Sequence, residues 1–511
     1  VKQLSKVADN VVALLARQVL TWSLTAVLMV FFLPRYLGDT GLGKITFAIA
    51  VITILLVVTN LGTATFTVKQ VALDRDRLSE LLWHAYALRL ILGLIVAAVV
   101  VACAHLSGLD RDSKFVLSVA GLILLVMGLD AAQIAALQGL ENMRRIAAAE
   151  VAGKATLLVL GIAVLEAGQG VVAYALAMLA GTLVGFFVNF SYLARRHLRR
   201  PSFSSRAVQY LIIGGLPFLM TGAIQQFYLW SDTLTLRFLT RDAVVGWYGA
   251  ANQLFGTMNF VPLVLVTALL PALTRFHVED RAAMRVAVEK GMLAVLTAAI
   301  PLTVGSLILS GELIGFLRYP PEFAHSVPLL AIQALALPIT GCLMLVGTVV
   351  IAADKQKQWA IIVGITSVIS LAINVPFIIF FERAYGNGAL GVTIAAVLSE
   401  ALMMIMGIRL VPEGVMGRAV VIGLCRRLAA SGAMAGAVVA VKLLRDPGFL
   451  PLVMLGGVVY LLALLALRGI TLSEMKFILR AAVSRRQATE DTHGEGSGSG
   501  ILNPRLEGGG V

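Results

Sequence analysis

Charge is what this 511-residue chain has least of. Only 14% of its residues are charged, against about 25% in a soluble globular chain. So few charges cannot cover a water-facing surface, which excludes a soluble enzyme. The 59% hydrophobic content excludes a disordered chain. Cysteine is scarce too. Cys103, Cys342 and Cys425 each lie in an apolar run, with no disulfide framework and no metal-ligand spacing. His84, His105, His197, His277 and His325 fall at helix ends or in loops, again without ligand spacing. P-loop and GxSxG patterns are missing, so ATP is not the evident drive. The expectation is therefore no cofactor and no metal. Long connections are missing as well: none exceeds about 20 residues, the length of one membrane span. That leaves no room for an extramembrane catalytic domain.

What is present is a series of apolar runs, each near the roughly 20 residues that a bilayer core requires. Fourteen can be drawn, from 12–33 and 43–66 to 420–441 and 449–467, which predicts an all-α polytopic membrane protein of about fourteen transmembrane helices. The first run is too long for a signal-peptide core and reads as a retained helix. The net charge of +13 is unevenly spread. Lys and Arg crowd the even-numbered connections and both ends, while the odd-numbered ones hold few, such as Arg35, Lys44 and Arg241. By the positive-inside rule both termini face the cytoplasm of a bacterial inner membrane. The basicity thus reads as a topology signal, with no nucleic-acid partner.

The halves of the chain look alike. RYLGDTGLGKITFAIAV from Arg35 parallels RFLTRDAVVGWYGAANQL from Arg237, and GQGVVAYALAMLAG from Gly168 parallels GNGALGVTIAAVLSE from Gly386. The basic segment 194–207, ARRHLRRPSFSSRA, lies between them. This predicts two pseudo-repeated six-helix lobes, 1–193 and 208–410, then two further helices in 411–468 and a tail from 469, flexible from about 489. Such repeats mark transporters, with the substrate site between lobes. Gly181 with Gly185, and Gly432 with Gly436, form GxxxG pairs suited to close helix packing.

The opening LPRYLGDTGLGKITFAIAV and VTNLGTATFTVKQVALDRDR resemble the start of Wzx-type oligosaccharide flippases. These are polysaccharide biosynthesis proteins of the multidrug/oligosaccharidyl-lipid/polysaccharide (MOP) exporter superfamily. The resemblance rests on Leu37-Gly38, Gly43 with Phe47, and Asn60-Leu61-Gly62, and in the second half on Asp232 and Gly246-Trp247-Tyr248. It covers roughly the first 410 residues. It implies a MATE-like V-shaped bundle and alternating access for an undecaprenyl-pyrophosphate-linked glycan. It further implies membrane lipids and a polysaccharide polymerase or export machinery as partners.

Ionisable residues inside apolar runs are functional candidates because they are costly there. Arg17, Arg89 and Lys154 fall one to two turns inside the cytoplasmic face, and Lys69 ends the second helix at that depth. Together they could form a cationic vestibule for a pyrophosphate, or they could snorkel to the headgroups. Arg17 heads a polar stripe with Thr21 and Thr25. Glu400, Asp130 and Asp232 are candidates for ion coupling or cavity acids; helix–helix hydrogen bonds are the other reading. Amide positions Asn60, Gln225, Asn252, Asn259 and Asn374 suit sugar hydroxyls or interhelical bonds equally. A drug/cation antiporter usually needs a carboxylate in its first helix, and 12–33 has none. A lipid II flippase shares the fold, the fourteen spans and the cationic cavity, so charge does not separate it, but the opening motif looks closer to the Wzx type. A membrane glycosyltransferase or polymerase needs larger outward loops.

Overall fold

The computed structural model describes residues 20–199, 204–411, 417–445 and 447–469. Every element among the described residues is helical. In chain order they are α1 (Leu20–Asn60), α2 (Thr63–Leu73), α3 (Leu78–Leu106), α4 (Arg111–Gly139), α5 (Met143–Glu166), α6 (Gly170–Arg196) and α7 (Ser205–Leu239). The second half continues with α8 (Asp242–Glu279), α9 (Arg281–Phe316), α10 (Ser326–Ala334), α11 (Leu337–Ala352), α12 (Gln356–Tyr385), α13 (Ala389–Ile408), α14 (Arg418–Arg445) and α15 (Phe449–Ala466).

Among the described residues ten helices are long and apolar enough to cross a membrane, or up to twelve if each of two bent pairs is one span. The sequence suggested fourteen. Part of the difference lies in α1, a 41-residue stretch covering two expected runs. Gly38 breaks it, at φ 64° and ψ −173°, a backbone shape that favours glycine. The eighth expected run falls in α8, which is outside those ten. The outer faces are apolar: Leu90, Ile91, Leu94 and Ile95 of α3 are all exposed. In water that face would be a liability; in lipid it is the required surface.

Packing differs between the two ends of the bundle. At the Gly38 end a single core joins both halves of the chain, with Leu42 and Ile45 beside Val245, Tyr248 and Phe323. Toward the other end the core divides. Leu81, Leu82, Leu137 and Leu193 belong to one cluster, while Val288, Leu345 and Val349 belong to another. The expected repeat explains the joined end. A Cβ on Gly43 would overlap the Asp242 carbonyl, and one on Gly246 would overlap that of Asp39. These are equivalent positions of the two repeat motifs, so α1 and α8 cross backbone to backbone in a reciprocal pair. Trp247 Nε1 donates to Asp39 Oδ2 at 2.9 Å, and Arg237 pairs with Asp242 at 2.5 Å. The GxxxG pairs divide. Gly181 lies against the Gly153 carbonyl of α5, but among the described residues nothing comes within 4 Å of a Cβ at Gly432 or Gly436.

A second tie at this end joins α1 to the α3–α4 connection, where Lys44 Nζ meets Asp110 Oδ2 at 2.5 Å. Burial raises the Asp110 carboxyl, but hydrogen bonds from Lys44 and Ser113 outweigh it and hold it at about 2. Its value therefore lies below that of an unfolded aspartate. The stability it adds is present above about pH 4 and is lost as pH falls through about 2.

Gly43→Ala and Gly246→Ala are each expected to force α1 and α8 apart, at a cost of about 1–3 kcal/mol for overpacking. Thiol labelling of Val245→Cys, a fully buried neighbour, checks this in a chain with the three native cysteines replaced by serine. Labelling should rise roughly tenfold in either alanine variant, since 1.4 kcal/mol is tenfold in population. Unchanged protection would refute the crossing.

Candidate functional site

The C-terminal limb of α1 meets the second half of the chain twice. The first meeting is the Gly43/Gly246 crossing. The second lies where α1 ends. Leu61 and Gly62 adopt left-handed backbone, at φ 47° and 69°, and separate α1 from α2. A Cβ on Gly62 would overlap the Gly215 carbonyl of α7, and one on Gly215 would strike the Leu61 carbonyl. Again two glycines oppose each other across the halves. Beside this meeting α7 bends by 50°, between Met220 and Gly222.

Between α1 and α7 lies a cavity of about 340 Å³. Its walls carry Thr53, Asn60 and Thr65 from one side and Gln225 and Gln226 from the other. The lining among the described residues holds no charged side chain. Its donors and acceptors are amides and hydroxyls, which make many modest hydrogen bonds and attract neither sign of charge strongly.

The cations expected together are separated. Arg89 is fully buried. It donates to Asn60 Oδ1 at 2.7 Å, to Thr63 Oγ1 at 3.0 Å and to the Gly128 carbonyl at 3.0 Å. It thus clamps the α1–α2 break onto α4, and it touches the cavity only through Asn60. Lys154 lies elsewhere, in a cavity of about 400 Å³ among α1, α4, α5 and α6, with Asp130 and Glu150 in the same walls. Asn189 Nδ2 donates to Asp130 Oδ1 at 3.0 Å. Thr53 lines both cavities and is where they adjoin. Lys69 is exposed on α2. Arg17 lies outside the described residues, so the stripe it heads is visible only from Thr21, which is buried, and Thr25, which is half-buried.

The second half gathers its own polar group. Asn374 Nδ2 donates to Asp232 Oδ1 at 2.7 Å, and Thr340 Oγ1 donates to Glu400. Tyr228 and Tyr248 lie within electrostatic reach of both carboxylates, and the carboxylates within reach of each other. The amide stripe on α8 divides: Asn252 is exposed, while Asn259 is buried and bonds the Phe255 carbonyl at 3.3 Å. Sequence reasoning missed Tyr228, Thr340 and Gln226. Tyr228 was within reach, since it stands four residues before Asp232 on the same helix face. Thr340 offered no such signal.

Comparison with known proteins follows from this geometry. Residues 7–277 match the family model described as polysaccharide biosynthesis protein. A probable flippase, AglR of Haloferax volcanii, is 25% identical over 216 residues, which span 41% of this chain and 43% of that protein. The chain thus matches less than half the length of that relative. The fold is similar to the lipid II flippase MurJ in an inward closed conformation, with TM-score 0.71 and 16% identity over 89% of this chain and 98% of that one. It is also similar to an inward-facing MATE family multidrug resistance transporter of the MOP superfamily, with TM-score 0.59 and 15% identity over 76% and 94% of the two chains.

Arg89→Met is expected to release the α1–α2 break. Hydrogen bonds from a charged donor contribute roughly 1.5–3 kcal/mol each, and the stranded acceptors add to the loss. Thermal unfolding in detergent should fall by several degrees, while Lys69→Met leaves it unchanged. Equal melting of the two variants would contradict the clamp.

Proposed function

We propose, from the premise that this chain belongs to the polysaccharide biosynthesis protein family, that it is a flippase for a lipid-linked oligosaccharide. It moves a polyprenyl-pyrophosphate-linked repeat unit from the cytoplasmic to the periplasmic leaflet by alternating access between lobes 1–193 and 208–410. The observation that carries this reading is the uncharged, amide- and hydroxyl-lined cavity between the halves. Sugars present many hydroxyls and no charge, so Asn60, Gln225, Gln226, Thr53 and Thr65 match them in kind. An organic cation would want a carboxylate in that wall. The volume of about 340 Å³ falls at the lower end of small-molecule sites, which suits a few sugars or less.

In this reading the Gly43/Gly246 crossing is the periplasmic gate and the Gly62/Gly215 meeting is the cytoplasmic one. Orientation follows from the Lys- and Arg-rich even connections, with both termini in the cytoplasm of the inner membrane. The pyrophosphate meets the cations nearer that face: Arg17, Lys69 and Lys154, with Arg89 acting through Asn60. Asn252 offers a further amide on α8. Ion coupling belongs to the carboxylates. Asp232 and Glu400, with Asn374, Thr340, Tyr228 and Tyr248, form a compact group in which gaining or losing one positive charge alters the packing of α7, α11, α12 and α13. Asp130 plays the corresponding part in the first half.

A lipid II flippase is the second reading, favoured by the match over 98% of the MurJ chain. Complementation separates the two. Strains lacking a flippase for different lipid-linked repeat units, or for lipid II, are supplied with this chain. Rescue of polysaccharide export alone supports the proposal; rescue of lipid II transport alone overturns it. In a rescued strain, Gln225→Leu is expected to lower export about tenfold, since a glycan hydroxyl facing an unpaired site costs 1–3 kcal/mol. Glu400→Gln should remove transport and its pH dependence while membrane expression is kept. Unaltered pH dependence in that variant would rule out Glu400 as the coupling acid.

A further inference from the structure

His325 stacks on the crossing of α1 and α8. Its ring lies over the indole of Trp247, with centroids 4.1 Å apart and planes tilted by 27°. Trp247 is buried, directly follows Gly246, and donates through Nε1 to Asp39 Oδ2. Three side chains therefore span the contact: Asp39 from α1, Trp247 from α8, and His325 from the short 3-10 turn Pro321–His325 between α9 and α10. This connection is tied down at several points. Phe323 is buried in the joined core. Tyr319 donates its hydroxyl to the Val30 carbonyl at 2.6 Å, and Arg35 Nε donates to the Leu317 carbonyl at 2.6 Å. Ser326 Oγ donates to the Trp247 carbonyl at 2.9 Å, and Asn387 Nδ2 to the His325 carbonyl at 3.3 Å. The connection thus grips α1 through Arg35 and Tyr319, and α8 through Ser326 and the His325 ring. His325 is exposed, so it exchanges protons with water.

Histidine changes charge between about pH 5 and 8. A neutral imidazole on an indole is an aromatic stack. An imidazolium in the same place is a cation over the negative face of the ring, which is a stronger contact. Donation of the indole N–H to a carboxylate pushes electron density onto that face and adds to the attraction. The other charges at this end are mostly engaged. On α1, Asp39 holds Trp247, Lys44 meets Asp110, and Arg35 is bonded to backbone. On α8, Asp242 pairs with Arg237; on α9, Glu312 pairs with Lys442. At the end of α12, Glu382 accepts the Gly388 N–H at 2.7 Å, and Arg383 follows it. α10 carries no charged residue, and the connection itself adds one of each sign, Arg318 and Glu322. Ion pairs among the described residues do not include His325. The indole, with Asp39 behind it, is the group that a proton on His325 meets. We infer that His325 is a proton-operated latch on this crossing: protonation binds the α9–α10 connection to Trp247 and holds α1 against α8. A proton held more tightly in the closed state favours closure in acid, and the advantage fades as pH rises through the histidine range. The inference rests on the crossing acting as a gate. With the orientation proposed above, acidity outside closes the outer gate and returns the carrier to its cytoplasm-facing state.

The test uses the full chain in lipid nanodiscs, with the three native cysteines replaced by serine. Spin labels are attached through Leu106→Cys at the end of α3 and Tyr385→Cys at the end of α12, two exposed positions in opposite halves. Double electron–electron resonance at about pH 5.5 and about pH 8, either side of most of the histidine range, gives the populations of short and long separation. The ratio of long to short should rise roughly fivefold from the lower pH to the higher, the size of one modest cation–π contact. His325→Gln should give the same ratio at both. His325→Arg should stay short at both, because a guanidinium stacks on indole and keeps its charge. A merely structural role for His325 would shift the ratio in His325→Gln and leave its pH dependence, and that result overturns the proposal. A response of opposite sign, or none, in the chain with His325 intact overturns it as well. Gly43→Ala separates the two ways of failing. A long separation in that variant, with no pH response when His325 is intact, keeps the gate and removes the latch. One separation in every variant at both pH values removes both. The readout contains no glycan, so it stands whatever the substrate.

Discussion

Two helices can touch backbone to backbone only where neither carries a side chain, and this structure depends on that constraint. In lipid there is little hydrophobic gain from bringing two apolar helices together, because the acyl chains are as apolar as leucine. Close van der Waals contact has to hold the halves. Gly43 and Gly246 supply it at one end, Gly62 and Gly215 at the other. These contacts are strong only at short range and vanish within an ångström or two of separation. The halves can therefore be held shut firmly and still part without unfolding anything.

Charge follows the same economy. Inside the bundle four of the ionisable groups considered have a defined polar neighbour: Asp130 with Asn189, Asp232 with Asn374, Glu400 with Thr340, Arg89 with Asn60 and Thr63. The neighbours are neutral amides and hydroxyls in every one of these cases. A neutral partner steadies a charge without cancelling it. Such a group stays responsive to an arriving ion or proton, where a full salt bridge would already have spent its charge.

Much of this was legible in the sequence, and the reasons are physical. Apolar runs of span length and the bias of Lys and Arg between loops gave the membrane class. The paired motifs at Arg35 and Arg237 marked the segments that cross. The motifs at Gly168 and Gly386 open on the same left-handed glycine, with φ 66° at both positions. Three-dimensional relations were not legible. Spacing put Arg89 and Lys154 at one depth, yet depth says nothing of azimuth. Arg89 turns into the α1–α2 break, and Lys154 turns into a different cavity. Thr340 and Glu400 stand 60 residues apart, so no local pattern could pair them. Fourteen runs exceed the spans among the described residues because α1 carries two of them, one on each side of the Gly38 break, and because α8 is outside the ten long apolar helices.

The limb of α1 between Gly38 and Leu61 is a run of helix about 33 Å long, at 1.5 Å per residue. The Gly43/Gly246 crossing sits near one end of it, the Gly62/Gly215 meeting lies just beyond the other, and both of its ends are breaks in the helix. The structure holds the limb at both ends at once. In the alternating-access cycle proposed above, each state would release one of these contacts and keep the other, so the limb would tilt as a lever instead of unfolding.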